Sequence, residues 1–280
     1  MEYQQEALKS ILPPAIRDSV DKHYNSILQE IRLRIGMPVE LVTKDAIITL
    51  PICTTEEFIR FCVNASSKYS PWSSDTFGNG YITAPGGHRL GLCGTYVSNG
   101  SSGTFKGITS ICIRISRDFP GSATEALNLQ GSILIIGVPG SGKTTLLRDL
   151  IRLKSNKGTS ISVVDERQEI FPIHNGKFCY TVGKRTDVIS NCSKAKGIEM
   201  ALRSMSPETI AVDEITAAED ACALLQAGWC GVSLIATAHA SSRKDLFNRP
   251  VYKPIIQAGL FDNLIVMHRN KSWTSERITQ

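Results

Sequence analysis

Eight consecutive residues, Gly137-Val138-Pro139-Gly140-Ser141-Gly142-Lys143-Thr144, constrain this chain more than any other stretch, because they match G-x-x-x-x-G-K-[ST]. At ordinary residue usage the pattern arises by chance in about one chain in a hundred of this length. The flanks are those the pattern needs. The apolar run Ile133–Ile136 precedes it, and Leu146, Leu147, Leu150 and Ile151 follow at helical spacing. A glycine-rich loop between strand and helix can curl until successive backbone N–H groups face an anion, and the helix N-terminus adds partial positive charge. Lys143 is then expected to reach the β- and γ-phosphates of ATP, and the Thr144 hydroxyl to hold Mg²⁺. With Thr145 in the same first turn, residues 137–145 form the expected nucleotide-binding set.

Around this loop the pattern is α/β. Short β-branched runs at 133–136, 161–164, 210–212, 234–237 and 264–267 alternate with helical stretches at 144–154 and 217–229. That alternation predicts a mostly parallel sheet covered by helices. Before it the chain reads as α+β. Leu8, Ile11, Leu12, Ile16 and Val20 give a helical pattern over 1–30, broken at Pro13-Pro14, and Ile31, Leu33 and Ile35 alternate with Arg32 and Arg34 as a half-buried strand. Thr54-Thr55-Glu56-Glu57 has the capping-box form and opens a helix to about Ser66. Strands follow at 81–84, 88–97 and 108–115, with a flexible tip at Asn99–Gly103. The turn-rich segment 118–122 is the expected boundary, giving an N-terminal α+β domain over 1–121 and an ATPase domain over 122–280.

Two strands end in acidic pairs. Ile210-Ala211-Val212 delivers Asp213-Glu214, and Ile161–Val164 delivers Asp165-Glu166. One carboxylate of such a pair can hold Mg²⁺ and another can polarise the attacking water, so Asp165 and Asp213 are both candidate metal ligands. Spacing does not decide which pair plays which role. A further strand, Leu234–Ala238, carries His239 at its end, placed to sense the γ-phosphate.

Composition excludes several classes. Of 280 residues, 42% are apolar and 20% charged, and no run approaches the roughly 18 apolar residues of a membrane span. The start MEYQQEALKS has neither the basic region nor the apolar core of a signal peptide. Eight cysteines without ligand spacing fit reduced thiols packed as small hydrophobes, Cys93 and Cys112 among them, in a cytoplasmic setting. The net charge of +5 is dispersed, so nucleic acid is not an expected partner, while contact with an acidic membrane surface stays open.

The segments GVPGSGKTTLLRDL, VVDERQEI, GKRTDV, MALRSMSPETIAVDEI, LIATAHA and FNRP, in this order, resemble the stage III sporulation protein AA family. EIRLRIGMPVEL and GGHRLGLCGTYV resemble its N-terminal part, so the likeness covers nearly the whole chain. That family is related to the type II and type IV secretion ATPases. The resemblance implies a RecA-like P-loop domain behind a smaller domain, self-assembly into a hexameric ring, and docking on the cytoplasmic face of a sporulation membrane complex. It also makes Asp165-Glu166 similar to an aspartate box whose glutamate is the general base. It places Asp213-Glu214 in the Walker B segment and His239 in a histidine box. Two departures stand out: Asp213 replaces the Gly of the secretion ATPases' Gly-Glu, and the aspartate box is shorter. The base therefore lies between Glu166 and Glu214, with Glu166 preferred. Secretion ATPases bring arginines from the N-terminal domain to the phosphates, which nominates Arg89, Arg114 and Arg117, and Arg185 within the ATPase domain. Against an ATP-driven motor stand a nucleotide-gated assembly protein with negligible hydrolysis and a nucleic-acid motor. A small-molecule kinase is disfavoured by the lack of an arginine-rich lid.

Overall fold

The computed structural model describes residues 2–24, 28–67, 80–99, 102–174 and 176–278. The chain forms two compact units, one of residues 1–118 and 172–180, the other of 119–171 and 181–280. The expected boundary at 121/122 thus falls three residues late. The segment 172–180 belongs to the first unit although it lies within the second in sequence.

In the first unit, α1 (Glu2–Ile11) and α2 (Pro14–Tyr24) are separated at the predicted proline pair. They are followed by β1 (Leu28–Arg34), β2 (Pro38–Thr43), β3 (Ile47–Cys53), α3 (Glu56–Ser67), β4 (Tyr81–Thr83), β5 (Arg89–Asn99) and β6 (Ser102–Arg114). The helical pattern expected to residue 30 ends at Tyr24, because Leu28, Ile31 and Leu33 switch to the period of two that a sheet requires. The capping residue of α3 is Thr55, whose Oγ1 accepts from Phe58 N at 3.3 Å, one position later than the capping box predicts. The strands form an antiparallel sheet in the order β3-β2-β1-β6-β5-β4. Residues 100 and 101 of the expected tip lie outside the described residues. Leu8, Ile11, Leu12, Ile16 and Val20 share one core with Ile31, Leu33, Leu41, Leu90 and Ile113. All eight cysteines are free, but Cys93 is exposed and Cys112 only half-buried, so neither is the core hydrophobe its apolar neighbours suggest.

A buried histidine gives this unit a pH response. His88 is fully buried, with Nε2 donating to Gln4 O at 2.8 Å and Nδ1 accepting from Ser116 N at 3.1 Å. Both ring nitrogens are used by the neutral form. Burial pushes the imidazole down to about 4 from its ordinary 6.5. A depressed value in the folded state means that the unfolded chain binds the proton first. Stability is full above pH 6.5 and is lost as pH falls toward 4, by about 3 kcal/mol from this group. Unfolding of this unit followed from pH 7 to 4 should show that loss, and His88→Gln should flatten it.

The second unit is built around β7 (Ile133–Gly137), α4 (Lys143–Asn156) and β8 (Ile161–Asp165). Next in sequence, β9 (Ile173–His174) and β10 (Lys177–Phe178) form the small hairpin that belongs to the first unit. The second unit then continues with β11 (Thr186–Ser190), α5 (Lys194–Ser204), β12 (Thr209–Val212), α6 (Ala218–Trp229) and β13 (Ser233–Ala238), ending in α7 (Arg243–Asn248), α8 (Lys253–Gln257), β14 (Asn263–Met267) and β15 (Trp273–Arg277). The sheet order is β11-β8-β12-β13-β7-β14-β15, parallel throughout except for β15 at the edge. Every residue of β7, β8 and β12 is buried, which explains why these strands read as continuous apolar runs rather than alternations. The parallel direction has one functional consequence. The chain leaves β7, β8, β12 and β13 at the same edge, so the P-loop, Asp165-Glu166, Asp213-Glu214 and His239 emerge together.

Candidate functional site

The turn after β7 must be tight. A Cβ on Gly137 would lie 2.6 Å from Ser141 Oγ and 2.8 Å from Met267 Cβ, so only glycine fits. Gly142, which precedes α4, has φ +101°, a conformation open to glycine at little cost. Past it, the first N–H groups of α4 have no partner within the helix and face outward. Leu146, Leu147, Leu150 and Ile151 are buried, each contributing about 1.5–3 kcal/mol of apolar burial that seats the helix.

Lys143 is only 6% exposed. Its Nζ donates to Gly137 O at 3.0 Å, to Val138 O at 3.3 Å and to His239 Nδ1 at 3.2 Å. Burial lowers its basicity, and the carboxylates of Glu214 and Asp213 work in the opposite direction. Thr144 Oγ1 donates to Asp213 Oδ2 at 2.9 Å, joining the loop to the end of β12 across the intervening β13. A cavity of about 610 Å³ opens above, lined by Gly140, Lys143–Leu146, Glu214 and His239, with Phe119, Met267 and Trp273 as apolar walls. Its size suits a nucleotide.

The Asp213 carboxylate is held on both oxygens. Oδ2 takes the threonine, while Oδ1 accepts from Thr237 Oγ1 and from Glu214 N at 3.1 Å. Glu214 has φ +46°, unusual for a residue with a side chain, and its N–H is further fixed by Thr237 Oγ1 at 2.7 Å. Its carboxylate meets His239 Nε2, and Arg167 lies 3.5 Å away. Since an ammonium only donates, His239 Nδ1 is the acceptor and Nε2 carries the proton toward Glu214. Tyr252 supports the histidine, its Oη accepting from His239 N at 3.3 Å and donating to Ile215 O at 3.2 Å.

Asp165 behaves differently from its expected role as a metal ligand. It is almost wholly buried, and its carboxylate turns back into its own loop. There it accepts from Glu169 N at 2.8 Å, Ile170 N at 3.1 Å and Phe171 N at 2.8 Å. Burial pushes it up to about 6 despite those donors. Asp165 therefore shapes the loop that carries Glu166, and Arg148 of α4 grips the same loop through Ile170 O at 2.6 Å and Glu169 O at 2.9 Å. Glu166 itself is paired with Lys194 Nζ at 2.5 Å.

Of the nominated arginines, only Arg185 shares a unit with the P-loop. Arg185 precedes β11, which runs parallel to β8, so it sits at the opposite edge of the sheet from the P-loop. It binds Gly158 O there and lies 3.9 Å from Glu208, which removes it from its own subunit's phosphate site. Arg117 spends its guanidinium within the first unit, donating to Tyr24 O at 2.6 Å and stacking over the Tyr24 ring. Arg89 covers the Tyr81 ring. Arg114 is exposed, 3.6 Å from Glu30.

Thr144 and Asp213 offer Mg²⁺ the hard oxygens it prefers, few in number, with phosphate and water left to complete the shell. Among the described residues, no group of three or more His, Cys, Asp or Glu could hold a metal by itself, so the ion would arrive with the nucleotide. Ser141 Oγ is buried in the loop without a hydrogen-bond partner, an orphan that an anion's hydration or oxygen would satisfy.

Strand order, P-loop and the carboxylates at the sheet edge define a RecA-like P-loop fold. Solved structures agree. The Legionella pneumophila ATPase DotB superposes with TM-score 0.60 at 17% identity over 94% of this chain and 80% of its own. The pilus retraction motor PilT gives 0.57 at 15% identity over 89% and 76%. The family model for sporulation stage III, protein AA matches residues 2–277, and the chain belongs to that family. Stage III sporulation protein AA of Bacillus subtilis (strain 168) is 38% identical over 95% of this chain and 90% of its own length. An uncharacterized protein ycf45 of Cyanidium caldarium is 28% identical over 61% of this chain and 53% of its own.

Proposed function

We propose that the chain is a Mg²⁺-dependent ATPase that works as a hexameric ring, energising a sporulation membrane complex from its cytoplasmic face. The observation that carries the reading is the Thr144–Asp213 hydrogen bond beside the buried Lys143, because it brings a metal-binding hydroxyl, a metal-binding carboxylate and a phosphate-binding ammonium to one point. Mg²⁺ held there would neutralise charge on the phosphate oxygens. Lys143 would exchange its loop carbonyls for phosphate oxygens, and His239 would follow it. Glu166 is the residue assigned to the attacking water. β8 is the strand next to β12 on the side away from the P-loop, which supports a base at its end acting on the far side of a bound γ-phosphate. Glu214, engaged by His239 and Arg167, orients that edge.

The ring is inferred because a lone RecA-like domain leaves its nucleotide open to water, and a neighbour's exposed Arg114 would supply the missing positive charge. No helix among the described residues is long and apolar enough to cross a membrane. The purified chain should release phosphate from ATP only with Mg²⁺, and its solution mass should rise toward a hexamer when both are added. Tight ATP binding with ring formation and no phosphate release would instead support the nucleotide-gated assembly protein. Stimulation by single-stranded nucleic acid would revive the nucleic-acid motor.

A further inference from the structure

Behind the P-loop pocket lies a small cleft lined by Asp165, Glu166, Arg167, Glu169, Lys194, Asp213 and Glu214. Five of these seven side chains are carboxylic acids. Bringing a highly charged nucleotide beside such a group is costly unless cations are built in. Lys194 is the buried cation. It is the first residue of α5, its side chain is 6% exposed, and its Nζ lies 2.5 Å from Glu166 Oε2 and 3.6 Å from Asp220 Oδ2. Asp220 in turn accepts from Thr216 N at 3.0 Å and Ala217 N at 3.1 Å, the two residues that follow Glu214 and Ile215. One chain of contacts therefore runs from the end of β8, through the ammonium, to the segment that leaves the end of β12.

We propose that Lys194 is the positioning residue of hydrolysis: it holds Glu166 by one carboxylate oxygen, leaves the other to the attacking water, and locks that carboxylate to the loop carrying Asp213. The proposal rests on the reading of Glu166 as the residue that accepts the proton. A free glutamate at a strand end samples several rotamers, and a general base must be within hydrogen-bond reach of its water. A buried ammonium shared by two carboxylates removes that freedom. A lysine near two acids is an ordinary sight on a surface. Burial of the whole side chain, with Asp220 itself fixed by backbone N–H groups, separates Lys194 from that case.

The test is a double-variant cycle on the full chain, reading ATP affinity and phosphate release separately. Lys194→Met should bind ATP within about twofold of wild type and lose turnover by about 10²-fold, the scale of a lost acid–base group. Lys194→Met/Glu166→Gln should be no slower than Glu166→Gln alone, because both changes strike one function. Lys194→Arg should recover part of the rate. Losses that multiply in the double variant, no recovery in Lys194→Arg, or wild-type turnover in Lys194→Met would each overturn the assignment. A wild-type chain that binds ATP but releases no phosphate would overturn the ATPase reading first, and the role of Lys194 with it.

Discussion

Lys143→Ala is expected to abolish measurable phosphate release, a loss of at least about 10²-fold, the magnitude that follows removal of one preorganised donor to developing charge. The expectation follows from where the ammonium already sits. It is buried, held by Gly137 O, Val138 O and His239 Nδ1, and partly starved of solvation. Phosphate oxygens would replace neutral acceptors with charged ones, so the interaction strengthens on binding and again in the transition state. Alanine removes this without opening the core of α4, which is made by Leu146, Leu147, Leu150 and Ile151. The apo protein should therefore melt within a few degrees of wild type. ATP with Mg²⁺ should raise the melting temperature of wild type and leave that of Lys143→Ala nearly unchanged. Wild-type phosphate release from the folded variant would remove the P-loop from the mechanism.

Residues whose place in the fold is set by nearby sequence are legible in the sequence itself. The P-loop, the acidic pairs and His239 each sit at the end of an apolar run, and parallel strands carry such ends to one edge. Position on that edge is topological information, and sequence alone does not hold it. Arg185 illustrates the point: GKRTD resembles a site motif, yet a residue before a parallel strand belongs to the far edge. Asp165 and Glu166 are neighbours in sequence and alike in chemistry. One turns into its own loop while the other faces Lys194, because three backbone N–H groups from 169–171 converge on the first. Arg148 and Thr237 lie within GVPGSGKTTLLRDL and LIATAHA, and Tyr252 just after FNRP, yet the roles of these three and of Lys194 were missed because each acts on a partner far along the chain. Segment 172–180 was missed for a related reason. Two strands of two residues are too short for a periodic signal, and their membership of the first unit depends on packing rather than pattern.

The choice between Glu166 and Glu214 is the sharpest question the site poses, and glutamine at each position answers it. Glutamine keeps the shape but cannot take a proton. Glu166→Gln should still bind ATP while turnover falls by about 10²-fold or more. Glu214→Gln should cut turnover by about tenfold, because it weakens the contact with His239 rather than removing the acceptor. The asymmetry rests on geometry. Thr144 and Asp213 would hold Mg²⁺ at the end of β12, with the leaving oxygen on the side of Lys143 and the loop. Attack would then come from the other side, and β8 lies one strand further on, about 5 Å away. Glu214 is also spoken for, with His239 on one oxygen and Arg167 near the other, whereas Lys194 occupies a single oxygen of Glu166. Single-turnover phosphate release in the two variants, with ATP affinity measured separately, distinguishes them. If Glu214→Gln binds ATP normally and stalls while Glu166→Gln turns over, the water belongs to Glu214, and β12 rather than β8 carries the base.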